Sequence, residues 1–220
     1  MLNLFDKFNR QRCLLFLFMI GVMGVAFAEH TIYVLNLPHI NEWEQKVLAS
    51  KTRYDVVSID GKPYLKATSK SSASGLIRHI DIDLKKTPYL KWTWKVDNIL
   101  KDVDETQKSG DDYAARVYVV ISGGLFFWNT RAISYNWTSS EPEGSTWPNA
   151  FTDNAVMVSV QSGAEKVGEW VSEKRNVAED IKNLLGIEAT EINAVAIMTD
   201  TDNSGQSAIA YYGNIMFSEE

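Results

Sequence analysis

The sequence predicts an all-β protein, a two-sheet antiparallel β-sandwich of the jelly-roll type with one short helix. From residue 31 onward, about ten to twelve short segments are rich in β-branched and aromatic residues, as strands are. Clusters of turn residues separate these segments at spacings of about 8–15 residues, and there are no internal repeats. Many short, evenly spaced strands with a single helix are typical of a sandwich.

Residues 1–28 have the features of a signal peptide. The apolar run of residues 13–25 is too short to span a bilayer comfortably, and residues 26–28 (Ala-Phe-Ala) form a small-x-small cleavage site. Cleavage after Ala28 would leave a single β-sandwich domain, residues 29–220, in a bacterial periplasm or outside the cell. An uncleaved amino-terminal anchor is the alternative. The basic residues before the apolar run are Lys7, Arg10 and Arg12.

Charge and cysteine content restrict the partners. The single cysteine, Cys13, would leave with the signal peptide, so we expect no disulfide. Loss of three basic residues and Asp6 would change the net charge from −6 to −8. An acidic surface disfavours nucleic acid and anionic lipid, and it suits divalent cations, neutral sugars or a basic protein. No later segment is long and apolar enough to insert into a membrane.

The first half of the chain contains the clearest strand. Residues 54–59 and 64–68 are predicted to form a hairpin, because Asp60-Gly61 tolerates the positive φ angles of a tight turn. In residues 89–96, Trp92 and Trp94 share one face and lysines share the other. We therefore expect these two tryptophans in the core and not as sugar-binding platforms. Further strands are predicted at residues 31–37, 43–47 and 75–84.

The second half begins with a long polar loop, residues 98–112, of the kind that often carries function. The predicted helix covers residues 177–185 and ends at Gly186. Residues 139–149 are rich in turn residues and are predicted to be loop. The remaining predicted strands are residues 116–121, 132–137, 156–160, 169–175, 194–198 and 209–217.

Two acidic segments are candidates for a cation site. Asp200, Asp202 and Asn203 have the spacing that opens a calcium loop, although Tyr211 occupies the twelfth place, where an EF-hand has a glutamate. A polar hairpin loop is the alternative. Asp111 and Asp112 precede Arg116. Arg116 either balances their negative charge at a ligand site or only fixes the loop through an ion pair. If both segments meet at one end of the sandwich, their oxygens could share one Ca²⁺.

Aromatic residues suggest a glycan site. Trp128 and Trp147 stand next to turn residues and are predicted to be exposed, with Arg116 and Arg131 as polar partners. Planar rings beside such groups are how shallow sugar sites are built. For catalysis, Asp112 with Glu169 or Asp202 could act in a hydrolase, and Tyr113 with Arg116 in a lyase. The three histidines have no metal-ligand spacing, and no serine-nucleophile elbow is present.

Several motifs together resemble a known family. They are PYLKWTWKV (88–96), GDDYAARVYV (110–119), ISYNW (133–137), MTDTDNSG (198–205) and YGNIMF (212–217). The chain resembles the bacterial family called domain of unknown function 3047, which implies a secreted or periplasmic protein and no settled activity. The layout is also similar to galactose-binding-like carbohydrate-binding modules, which commonly hold a structural calcium.

The sequence therefore favours a periplasmic, non-catalytic β-sandwich that binds a glycan or another cell-envelope ligand. A polysaccharide hydrolase or lyase on the same scaffold and a structural adaptor are the alternatives. The predicted ligand residues are Arg116, Trp128, Arg131 and Trp147, and the predicted Ca²⁺ ligands are Asp111, Asp112, Asp200, Asp202 and Asn203.

Overall fold

The computed structural model describes residues 30–124 and 129–220. The predicted signal peptide and Trp128 lie outside the described residues. The strands are β1 Thr31–Leu35, β2 Glu44–Val47, β3 Arg53–Ile59, β4 Lys62–Lys70, β5 Ala73–Asp83, β6 Tyr89–Val96, β7 Tyr113–Ile121, β8 Arg131–Thr138, β9 Thr146–Asn149, β10 Thr152–Ser162, β11 Val171–Asn176, β12 Glu191–Asp200 and β13 Ser207–Ser218. A short α-helix, α1 (Val177–Asp180), continues as a π turn, Ile181–Leu185, and 3-10 turns cover Leu37–Glu42 and Lys108–Gly110.

The strands form two sheets, which confirms the predicted sandwich. Sheet A has six strands in the order β11-β6-β13-β4-β3, with β1 also paired to β13. Sheet B has seven, in the order β2-β5-β12-β7-β8-β10-β9. Successive strands repeatedly change sheet, as in a jelly roll. Among the described residues the pairings are antiparallel apart from β8 and β10, which run parallel.

The core between the sheets is rich in aromatic rings. Trp92 and Trp94 are 1% and 0% exposed, as the alternation of β6 predicts. The Trp92 ring packs edge-on against Trp94 and tilted against Tyr135, each at 5.4 Å, and Trp94 lies 5.8 Å from Trp137. Tyr135 and Trp137 come from β8, so these contacts join sheet A to sheet B.

The predicted turns and helix end are also present. Asp60 and Gly61 have φ angles of 50° and 75° between β3 and β4, the left-handed pair of a type I′ hairpin turn. Gly186 has φ 66° and ends the helical segment after Leu185. Within residues 30–124 and 129–220, no helix has the length and apolarity needed to cross a membrane.

A carboxyl group faces inward at one edge of the sandwich. β11 is an edge strand of sheet A, and Glu173 stands opposite Trp92 on the face directed towards the core. Inward-pointing charges protect sheet edges from pairing with other chains. Burial raises the pKa of Glu173 to about 7.

This pKa predicts a pH-dependent stability. Because the folded state holds the Glu173 proton more tightly than the unfolded chain, stability is lost as the pH rises from about 4.5 through about 7. Glu173→Gln should therefore raise the melting temperature at pH 8 and leave it nearly unchanged at pH 4.5. Thermal unfolding at both pH values measures this, with the exposed Glu165→Gln as control. An equal change at both pH values would contradict it.

Candidate functional site

A β-bulge in β7 lies at the candidate site, on the outer face of sheet B. Arg116 in β7 pairs with Met198 in β12, whereas Tyr113 pairs with Asp200, so the register shifts between the two pairs. The extra residue directs both Tyr113 and Arg116 away from the core between the sheets. Bulges often re-aim side chains beside functional sites in this way.

Arg116 lies at the centre of the site and is only 3% exposed. Its Nε donates to Asp200 Oδ1 at 2.9 Å, and a terminal nitrogen donates to the other oxygen of the same carboxylate. The remaining donors reach the Asp111 carbonyl oxygen at 2.6 Å and the Tyr118 hydroxyl at 2.8 Å. The guanidinium also stacks 4.0 Å from the Tyr113 ring centre. Arg116 thus pairs with the second acidic segment while it holds the backbone of the first.

The two acidic segments meet in space. Asp112 Oδ1 accepts hydrogen bonds from the backbone and side-chain nitrogens of Asn203, each at 3.2 Å. Its Oδ2 accepts from the Ser204 backbone N–H at 2.5 Å. Asp111 lies 3.5 Å from Arg116 through one carboxylate oxygen. The segments 111–116 and 200–204 therefore form one network, here called the acidic network.

The acidic network has an excess of negative charge. Asp112, Asp200 and Asp202 each place one oxygen within 4.8 Å of the others, about twice a Ca²⁺–oxygen distance. Burial and the charges of Asp112 and Asp111 raise the pKa of Asp200, although Arg116 opposes this effect. Burial and Asp112 likewise raise the pKa of Asp202. One hard cation contacting the three carboxylates would relieve this repulsion.

The long polar loop is held against the site by buried groups that the sequence did not single out. Gly110 packs so closely on Asp104 that a Cβ would lie 2.3 Å from its carbonyl oxygen. The fully buried Glu105 carboxylate accepts backbone N–H bonds from residues 139–141. These contacts fix the loop that carries Asp111 and Asp112.

The predicted exposure of Trp147 is wrong. Trp147 lies in β9, a strand within the segment predicted to be loop, and its side chain is 9% exposed. It packs with Tyr113 and Met157, and its indole N–H donates to the Glu105 carbonyl oxygen at 3.2 Å. Trp147 therefore packs against Tyr113 of the acidic network, and its buried ring has no face open to a ligand. Trp128 lies outside the described residues.

Arg131 is not part of the acidic network. Arg131 in β8 pairs with Ile121, the last residue of β7, whereas Tyr113 is the first residue of that strand. The Arg131 guanidinium donates a hydrogen bond to the Asn154 side-chain oxygen. The geometry therefore does not support the prediction that Arg131 shares one site with Arg116.

A cleft of about 420 Å³ opens beside Arg116 and is here called the Arg116 cleft. Its rim includes two exposed apolar side chains, Phe151 at 57% and Leu48 at 76% exposure. Phe151 and Tyr118 were not predicted from the sequence as site residues, although Tyr118 stands two residues after Arg116 on the same strand face. The lining residues are Leu48, Ala73, Asp111, Arg116, Tyr118, Asn149, Phe151, Thr152, Ala155, Met198, Asp200, Asp202 and Asn203.

The fold and site define a β-sandwich with an ion-paired acidic network beside an open cleft on one sheet. The family described as "Protein of unknown function (DUF3047)" matches residues 41–216, and the chain belongs to this family. No curated protein sequence was found to be similar to it.

Solved structures of similar fold include carbohydrate-binding modules. A family 11 module from Clostridium thermocellum, in complex with a mixed-linked β-1,3-1,4 tetrasaccharide, is 10% identical, with 87% of this chain and 96% of that chain covered and a TM-score of 0.46. A family 30 module of a C. thermocellum cellulosomal cellulase is 10% identical over 81% and 91%, with a TM-score of 0.43. An endoglucanase from Rhodothermus marinus is 10% identical over 86% and 99%, with a TM-score of 0.43. Such distant similarity transfers no function to this chain.

The buried ion pair predicts a strong effect of Arg116 on stability. Arg116→Met would leave the Asp200 carboxylate buried without its partner, so we expect a loss of about 3–5 kcal/mol in the free energy of unfolding. Arg53→Met is the matched control, because its 2.8 Å pair with Asp55 is exposed and should be worth at most about 1 kcal/mol. Urea unfolding of both variants measures the difference, and equal losses would contradict the assigned role.

Proposed function

We propose that the protein binds a glycan in the Arg116 cleft, without catalysis. The observation that carries this proposal is the exposed Phe151 ring at the rim of a cleft that is lined by both apolar side chains and amide or carboxylate groups. Pyranose rings have an apolar face that packs on aromatic rings and hydroxyls that bond amides and carboxylates. Asn149, Asp202 and Asn203 supply such groups beside Phe151.

The cleft is held in place before any ligand arrives. Asn149 donates through its side-chain nitrogen to Asp111 at 3.2 Å, and its side-chain oxygen accepts the Phe151 backbone N–H at 3.0 Å. The aromatic rim is thus tied to the acidic network by hydrogen bonds. A preorganised site loses little conformational entropy on binding, which suits a shallow sugar site of modest contact area.

Burial of the acids favours binding over turnover. Asp112 is 0% exposed and Asp200 is 2% exposed, and both carboxylates already accept hydrogen bonds from the protein. Tyr113, the proposed base of a lyase, is buried, and its hydroxyl donates to the Glu105 carbonyl oxygen at 3.0 Å. A catalytic acid or base must come within hydrogen-bond reach of the substrate.

We further propose an extracytoplasmic location after removal of residues 1–28. The negative net charge, −6 for the full sequence and −8 without residues 1–28, supports a neutral glycan at this cleft, because an acidic chain repels nucleic acid and anionic polymers from its acidic regions.

Phe151 provides the test of glycan binding. Phe151→Ala should weaken binding to the recognised neutral polysaccharide about tenfold, since such an aromatic contact contributes about 1–1.5 kcal/mol. Affinity electrophoresis with β-glucan, xylan, galactan and dextran measures this. The matched control is Tyr33→Ala, which removes an exposed ring on the other sheet, sheet A, and this variant should bind normally.

The proposal is overturned if none of the polysaccharides binds, or if both variants lose binding equally. Turnover of any of them that Asp112→Asn abolishes would replace it with a hydrolase or lyase.

We also propose that one Ca²⁺ bound by Asp112, Asp200 and Asp202 has a structural role. The three oxygens within 4.8 Å support this assignment, and Asp202 is the least buried of the three carboxylates. A ligand bound only by the folded state raises stability, by about 2.7 kcal/mol at one hundred times its Kd. The melting temperature should rise in Ca²⁺ and fall with chelator. Asp202→Asn, which leaves the Arg116 pair intact, should abolish the difference, and an unchanged wild-type melting temperature would refute the site.

A further inference from the structure

The outer face of sheet A is basic, although the chain as a whole carries a net charge of −6. Strand register places its side chains in cross-strand rows, and two acids, Asp55 and Asp97, stand among them. Each of these acids pairs with a basic residue of the same face, at 2.8 Å for Arg53 and at 3.5 Å for Lys95. The basic residues on this face are Arg53, Lys62, Lys66, Lys70, Lys91, Lys95 and Lys174.

Two adjoining clefts lie on this face, with volumes of about 320 and 390 Å³, and together they are here called the groove. They share Thr93 and Asn214 in their lining. Together they extend from Tyr64 in β4, across β13 and β6, to Lys174 in β11. Neighbouring strands lie about 4.8 Å apart, so the groove spans about 14 Å. That is long enough for several units of a linear polymer.

The floor of the groove is low because its residues are small. Gly213 in β13 lies under Thr93, where a Cβ would come within 2.1 Å of the threonine Oγ1. The register of β13 and β6 shifts between Tyr212 and Ile215, next to Gly213 and the exposed Asn214. The floor therefore presents a hydroxyl and an amide, the groups that hydrogen-bond sugar hydroxyls.

Lysines flank this floor on both sides. On one side, Lys66 and Lys95 stand opposite Tyr211 on its two neighbouring strands, and both ammonium groups contact its ring, at 5.5 and 4.4 Å. On the other side, Lys91 and Lys174 are directly opposite each other in β6 and β11. An anionic ligand that lies between the two rows would be attracted by lysines on both sides.

Aromatic rings lie at the same groove. Trp170, which is 37% exposed, stacks on Tyr64 with 4.1 Å between ring centres and approaches Tyr211 edge-on at 6.4 Å. Because Tyr64 and Trp170 cover each other, the pair does not leave separate ring faces for intercalated bases. Its outer surface can still pack against a pyranose ring.

We infer that this groove binds an acidic polysaccharide, with its carboxylates between the two lysine rows and its sugar rings along the floor. The groove is recessed, whereas a membrane-binding surface needs protruding apolar groups. The acidic remainder of the chain disfavours nucleic acid. The inference does not depend on the Arg116 cleft, which lies on the other sheet.

The test uses polygalacturonate as the anionic probe and dextran as the neutral polymer. Lys91→Gln/Lys174→Gln and, separately, Lys66→Gln/Lys95→Gln each remove two charges from one side. Each double variant should weaken binding to polygalacturonate about tenfold or more in low salt, and the loss should shrink as salt screens the charges. Lys85→Gln/Lys86→Gln, on the exposed turn between β5 and β6, is the control with the same change in charge.

Binding of polygalacturonate that both groove variants weaken and the control does not would support the inference. Absence of binding, an equal loss in the control, or tighter binding to dextran, phosphatidylserine vesicles or oligothymidylate would overturn it. Phe151→Ala should leave polygalacturonate binding unchanged, so failure at this groove is distinct from failure at the Arg116 cleft.

Discussion

The buried pair of Arg116 and Asp200 is the interaction on which the site depends. Removing both charges from water is unfavourable, and the fold offsets this only by giving each donor and acceptor a partner. The carboxylate takes two guanidinium donors, and the remaining donors reach the Asp111 carbonyl and the Tyr118 hydroxyl. Because these partners come from both acidic segments, the pair can form only when β7, β12 and their loops are all in place. The electrostatic requirement of one arginine therefore fixes the geometry of the cleft.

The basic face of sheet A and the acidic network of sheet B lie on opposite sides of the core. The aromatic layer formed by Trp92, Trp94, Tyr135 and Trp137 fills the space between the sheets, so polar groups are confined to the outer faces and the rims. The outer face of sheet A then collects lysines, while one end of sheet B collects aspartates. The two proposed binding sites therefore lie on opposite sheets, with the aromatic layer between them.

The strands were predictable from sequence where the signal is local. The alternation of β6 required Trp92 and Trp94 to face the core, and Asp60-Gly61 required a tight turn, so these features follow from neighbouring residues alone. The meeting of the acidic segments, the parallel pairing of β8 with β10 and the burial of Trp147 depend on contacts between residues distant in the chain. The turn-rich composition of residues 139–149 predicts a loop. Trp147 nevertheless lies in a strand, because it pairs with Met157 in β10, and local composition does not reveal that partner. Phe151 was missed for the same reason.

Rigidity connects the site with the groove. Both are built on strand residues whose positions are set by sheet register, and the loops beside the cleft are tied down by buried carboxylates and backbone hydrogen bonds. A site on such elements keeps its geometry without reorganisation, which lowers the entropy lost on binding. Catalysis needs something different, a carboxyl or hydroxyl that is free to exchange a proton with a substrate. In the acidic network, Asp112, Asp200 and Tyr113 are buried and hydrogen-bonded within the fold, so the contacts that make the cleft rigid also withhold these three groups from proton exchange.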